Sequence, residues 1–124
     1  MPASYRIDKA RHLILSVATG TCIDDDLLDH KRSLSADPEF DPGFRQLFDF
    51  RKVTTAELTT ACVRQLVRDN PFEKGARRAV VCDIDLLFGL ARMFEMLNGD
   101  GPDEVRVFRE MSDALAWLRI DTID

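Results

Sequence analysis

The sequence predicts an α/β domain of order ββαβαβαβα, a mixed, mainly parallel five-stranded sheet with helices and an antiparallel edge strand. Three observations predict it. β-rich runs alternate with apolar stripes of helical spacing along the chain. The segments between them are short. One run, Ala79-Val80-Val81-Cys82, is apolar without alternation, as in parallel strands covered on both faces.

Each element has its own signal. Tyr5-Arg6-Ile7-Asp8 and residues 12–19 are β-rich, and Lys9-Ala10-Arg11 between them is short enough for an antiparallel hairpin. Gly20 is expected to end the second strand and Thr21 to cap the first helix. Asp24, Asp25 and Asp26 then occupy its first turn, where the macrodipole favours negative charge. That helix runs to about Ala36 and buries Ile23, Leu27, His30 and Leu34. Asp37-Pro38-Glu39-Phe40-Asp41-Pro42-Gly43 is a loop, because two prolines and a glycine continue neither helix nor central strand.

Residues 44–50 alternate in part, are rich in aromatics and form the third strand. Thr54-Thr55-Ala56-Glu57 matches a capping box and starts the second helix. Leu58, Cys62, Val63, Leu66 and Val67 carry it to about Asn70, and Pro71 ends it. Residues 78–82 are the fourth strand, followed by a turn in which Asp83 or Asp85 is the helix cap. Leu86, Leu87, Leu90, Met93, Phe94 and Leu97 form one wide apolar face of the third helix, which Gly99-Asp100-Gly101-Pro102 terminates. Residues 104–108 are the fifth strand. Met111, Ala114, Leu115 and Leu118 give a last amphipathic helix with Trp117 on its flank.

The 124 residues are 45% hydrophobic and 31% charged, enough for one domain over 1–124 with a core that needs no disulfide or structural metal. With 17 Lys+Arg against 22 Asp+Glu the net charge is −5, and no basic block is present. Nucleic acid and anionic membrane are therefore excluded as main partners. No apolar run approaches the ~20 residues of a membrane span, and Met1-Pro2-Ala3-Ser4-Tyr5-Arg6 has no apolar signal core, so a cytoplasmic location is expected. Cys22, Cys62 and Cys82 are widely spaced, with no C-x-x-C pair and no His at ligand spacing. They read as reduced thiols, and Cys62 and Cys82 as small core hydrophobes.

In open α/β sheets ligands favour the crevice beyond the carboxyl ends of the strands. Asp49, Arg51, Thr54 and Thr55, together with Asp83 and Asp85, are predicted there. Two enzyme-like readings of these acids fail. A response-regulator receiver needs an acidic pair ending its first parallel strand and a Lys ending its last, where this chain has Val17-Ala18-Thr19-Gly20 and Val107-Phe108-Arg109. A haloacid-dehalogenase signature resembles Val80-Val81-Cys82-Asp83-Ile84-Asp85-Leu86, but it should open the domain and be followed by a Lys and further acids. His12 and His30 stand beside no Ser or Cys in a motif of known mechanics, and there is neither a Gly-x-Gly-x-x-Gly nor a P-loop. No catalytic residue, metal site or cofactor is expected.

The turn Leu47-Phe48-Asp49-Phe50-Arg51-Lys52-Val53-Thr54-Thr55 resembles the strand-to-helix turn of STAS and anti-sigma-factor-antagonist domains, which ends a strand with Asp and continues through Val-Thr. Over nearly the whole chain, including Gly20-Thr21, Arg78-Ala79-Val80-Val81, Val105-Arg106-Val107-Phe108 and Ala114-Leu115-Ala116-Trp117-Leu118, the pattern resembles the SpoIIAA-like, or STAS/SEC14-like, family of small bacterial proteins. The resemblance implies helices packed mostly on one face of the sheet and a non-enzymatic regulatory or protein-interaction role. In true antagonists a Ser at the start of the second helix is phosphorylated. Here Thr54-Thr55-Ala56-Glu57 stands in place of Asp-Ser-Ser-Gly, and a phosphate on Thr54 or Thr55 would be received by a helix N-terminus beside Arg51 and Lys52. The SEC14 side of the family implies the alternative, a carrier or sensor of a small lipid-like or anionic ligand.

If the core face of the third helix is centred on Leu90 and Leu97, then Phe88, Arg92 and Met96 form an outward line at four-residue spacing. Two large apolar groups on an outer face point to a homodimer surface or a ligand groove. Self-association is expected from this reading, and a regulatory protein partner from the family resemblance.

Overall fold

A computed structural model describes residues 2–99 and 101–122; Met1, Asp100 of the predicted helix terminator, Ile123 and Asp124 lie outside the described residues. The elements are β1 (Ala3–Asp8), β2 (Leu13–Ile23), α1 (Asp24–Ala36), β3 (Arg45–Glu57), α2 (Thr60–Arg68), β4 (Arg77–Val81), α3 (Asp85–Asn98), β5 (Glu104–Phe108) and α4 (Met111–Leu118). The strands lie in the order β1-β2-β3-β4-β5. β1 pairs antiparallel with β2, and every other pairing is parallel. When parallel strands are laid down in sequence order, right-handed crossovers put every connecting helix on the same face. Accordingly α1, α2 and α3 cover one face, where Ile14, Ala18, Phe50 and Cys82 are buried, and α4 covers the other over Leu13, Leu47, Ala79 and Val81. Among the described residues no helix is long and apolar enough to cross a membrane.

The largest departure from expectation is the length of the β2–β3 ladder. Gly20 does not end β2: it takes φ +66°, a conformation easily reached without a Cβ, and the strand continues to Ile23. Between the pairs Val17/Asp49 and Thr19/Lys52, and again between Gly20/Val53 and Thr21/Thr55, β3 advances one residue more than β2. These bulges bend the ladder and carry it through Thr54-Thr55-Ala56-Glu57, which is strand rather than capping box. Burial stabilises the extension, since Cys22 and Val53 are only 0% and 3% exposed and pack with Cys62 and Leu27.

α2 therefore starts late. Its N-cap is Thr59, whose Oγ1 accepts from the Cys62 N–H at 3.1 Å and donates to Asp24 Oδ2 at 2.6 Å. The Thr59 N–H donates to Asp24 Oδ1 at 2.9 Å, so the first acid of α1 also ties down the start of α2. Thr21 likewise caps nothing. The N-cap position of α1 is Ile23, whose N–H donates to Asp26 Oδ2 at 2.8 Å, and Ile23 is exposed rather than part of the buried stripe. Thr59→Ala is expected to cost about 1 kcal/mol in urea unfolding, and Thr55→Ala less than about 0.5 kcal/mol. Equal effects would contradict this placement of the cap.

The face of α3 is also rotated from expectation. The residues turned inward are Leu87, Ala91, Phe94 and Asn98, Leu90 and Met93 are half-buried at the flank, and Leu86 and Leu97 turn outward, 57% and 45% exposed. Neither Asp83 nor Asp85 caps the helix; the N-cap position is Ile84. The closing elements, β5 and α4, match expectation, and Trp117 packs against Phe108 at 5.8 Å with Arg77 over its ring.

Candidate binding site

Between the sheet and the three-helix layer lies a cavity of about 120 Å³. Its floor follows from strand alternation: Phe48 and Phe50 on β3, and Val80 on β4 with Cys82 just after it, point to this face two residues apart. Leu27 and Leu34 of α1, Val63 and Leu66 of α2, and Leu87, Leu90, Ala91 and Phe94 of α3 line it from above. The charged lining residues are Lys31 and Arg78, both cations.

Arg78 occupies the start of β4, in register with Gln46 on β3 and Val105 on β5. Its Nε donates to Asp103 Oδ2 at 2.5 Å, and the guanidinium carbon lies 4.3 Å from the ring centre of Phe72 and 5.2 Å from that of Phe94. The carboxylate of Asp103 is itself wholly buried and accepts at Oδ1 from Asn70 Nδ2 at 2.7 Å and Asn98 Nδ2 at 3.2 Å. Asn70 Oδ1 in turn accepts from the Phe72 N–H at 2.9 Å. The network joins the α2–β4 loop, the end of α3 and the start of β5 around one ion pair. Burial pushes the Arg78 guanidinium below the usual arginine range, more than Asp103 offsets. Arg78 Nη2 is buried and has no hydrogen-bond partner among the described residues.

Two further polar residues of the same cavity, His30 and Gln46, meet at Ser16. His30 is 7% exposed; its Nε2 lies 2.9 Å from Ser16 Oγ, which also accepts from Gln46 Nε2 at 3.0 Å. Aromatic rings flank the imidazole, Tyr5 at 5.6 Å and Phe48 at 4.7 Å. Burial lowers the His30 pKa from 6.5 to about 4, so the ring is neutral at pH 7. Burial also raises the thiols, Cys22 and Cys82 to about 11 and Cys62 to about 12, which keeps all three protonated.

The residues singled out in the sequence lie away from this cavity. Asp49 is on the opposite face of the sheet, in a shallow depression with Arg6, Leu15 and Val17. Arg51 grips it with two hydrogen bonds of 3.0 Å, which hold the guanidinium firmly charged. Asp83 is exposed, and Asp85 pairs with Arg109 at 3.1 Å. Thr54 and Thr55 are exposed on the β3 extension and not at a helix N-terminus, so the geometry expected to receive a phosphate there is absent. Of the proposed outer line, Phe88 packs into the core with Arg109 4.1 Å over its ring, while Arg92 and Met96 are exposed. Among the described residues, no three of His, Cys, Asp or Glu are grouped as a metal site. Sequence reasoning missed Arg78, Asp103, Asn70, Asn98, Ser16 and Gln46. Their signal was polarity inside otherwise apolar elements, most plainly Gln46 and Arg78 in strands of the inner sheet.

No protein-family model matches the chain, and no curated protein matches it. Among solved structures it is similar to the crystal structure of an uncharacterized DUF3478-family protein with a SpoIIAA-like fold from Shewanella loihica PV-4. The two share 20% identity and a TM-score of 0.61 over 94% of this chain and 93% of that one. Strand order, mixed pairing and helix placement together with this likeness identify the chain as an α/β protein of SpoIIAA-like fold.

Proposed function

We propose that the chain is a non-enzymatic, STAS-like module that carries or senses a small, mainly apolar ligand in the cavity beneath α2 and α3. The observation that carries this reading is the cavity itself: about 120 Å³ of space with a largely apolar lining and a few convergent polar groups. A dry cavity of about 150 Å³ elsewhere takes benzene, so this one suits a ring-sized or short-chain body. Two of the three acids nearest the strand ends, Asp49 and Asp85, are paired with Arg51 and Arg109, which supports a non-catalytic role. Titration with toluene, followed by amide NMR, is expected to perturb Phe48, Val80 and Leu87 and to lose its effect in Ala91→Phe, which fills the space. Shifts absent or confined elsewhere would defeat the reading.

Leu86, Met96 and Leu97, exposed on α3, favour a second reading, self-association through this helix. Leu86→Glu with Leu97→Glu is then expected to halve the sedimentation mass. A monomeric wild-type protein would remove this reading.

A further inference from the structure

Resting on the ligand-binding reading, we infer that the cavity is selective for monocarboxylates with a compact apolar body, the carboxylate being received by the Arg78 guanidinium. Arg78 lines the cavity, and of its five N–H donors only Nε–H has a partner among the described residues. Nη2 is enclosed and unpaired. A buried donor left unmade is unfavourable, and a guanidinium edge matches the two oxygens of a carboxylate. Asp103 does not compete for that edge, because its Oδ2 takes Nε and its Oδ1 takes Asn70 and Asn98. Phe72 and Phe94 flank the guanidinium and fix its plane. Both charged residues of the lining, Lys31 and Arg78, are cationic, which excludes amines and favours an anion. A single guanidinium edge in apolar surroundings suits the one charge of a carboxylate better than the two of a phosphate monoester. The volume of about 120 Å³ sets the body at the scale of a phenyl ring or a short alkyl chain.

The test is calorimetric titration of the full chain with matched pairs, benzoate against benzyl alcohol and hexanoate against hexan-1-ol. Each acid is expected to bind at least about tenfold more tightly than its alcohol, the scale of a charge-assisted hydrogen bond. In the double variant Arg78→Met with Asp103→Asn, which removes both charges together, the ratio is expected to fall to near one while the alcohols still bind. Lys31→Met, on a side chain paired with Asp69 at 3.6 Å, is expected to keep the ratio. Equal binding of acid and alcohol to the wild-type protein, or loss of the preference in Lys31→Met alone, would overturn the assignment to Arg78 and leave the apolar cavity standing. Binding of neither member of a pair would overturn the ligand-binding reading as well. The wild-type comparison decides even if the double variant does not fold.

Discussion

Asp103→Ala is expected to lower the stability of the domain by about 3–5 kcal/mol, seen as a fall in melting temperature of about 10–20 °C. The carboxylate is wholly buried and binds the Arg78 side chain, itself only 12% exposed. Removing it strands a guanidinium between Phe72 and Phe94 and leaves Asn70 and Asn98 without their shared acceptor. Each of those losses is a desolvation cost without compensation. Adding Arg78→Met to Asp103→Ala is expected to restore part of the loss, because it removes the unpaired charge. A single substitution that changes stability by less than about 1 kcal/mol, within the range of surface changes, would contradict the central place of this pair.

The second large effect is acid sensitivity through His30. Its folded pKa of about 4 lies below the unfolded value of 6.5. Between these values the unfolded chain binds a proton that the folded chain refuses, so stability rises with pH across the window and falls as the solution is acidified from 6.5 toward 4. The shift corresponds to about 3 kcal/mol, fully lost below pH 4. Protonation would also compel His30 Nε2 to donate toward Ser16 Oγ, which already accepts from Gln46. Urea unfolding at pH 7 and pH 4.5 is expected to show this loss in the wild-type protein and a nearly flat response in His30→Gln. Asp8 and Asp37 also have lowered pKa values, through hydrogen bonds from the Arg11 side chain and the Glu39 N–H, and they act only below the window of His30. A variant as acid-sensitive as the wild type would rule out His30 as the cause.

Element order, the opening hairpin and the mixed, mainly parallel character of the sheet were legible because each rests on local patterns. The capping box at Thr54 was misleading for a physical reason: its spacing suits a helix start, but residues of β2 some thirty positions earlier offer a buried ladder, and that pairing leaves no local trace. The inner face of α3 was ambiguous because Leu86, Leu87, Leu90, Phe94 and Leu97 surround much of the helix, and only the neighbouring sheet selects among them. Arg78 and Asp103 were invisible as a site for the same reason. They are 25 residues apart, and each alone reads as a residue at a strand end.

The order β1-β2-β3-β4-β5 has a consequence for how the chain is made. Every strand bonds only to the strand before it and the strand after it, so synthesis from the N-terminus always presents a new strand to an edge that already exists. The hairpin of β1 and β2 is complete before any parallel pairing is needed, and each later helix–strand unit docks as it emerges. The edge left waiting is the carboxyl-terminal one, so a chain stopped after β4 would expose the edge that β5 closes, while the earlier pairings stayed intact.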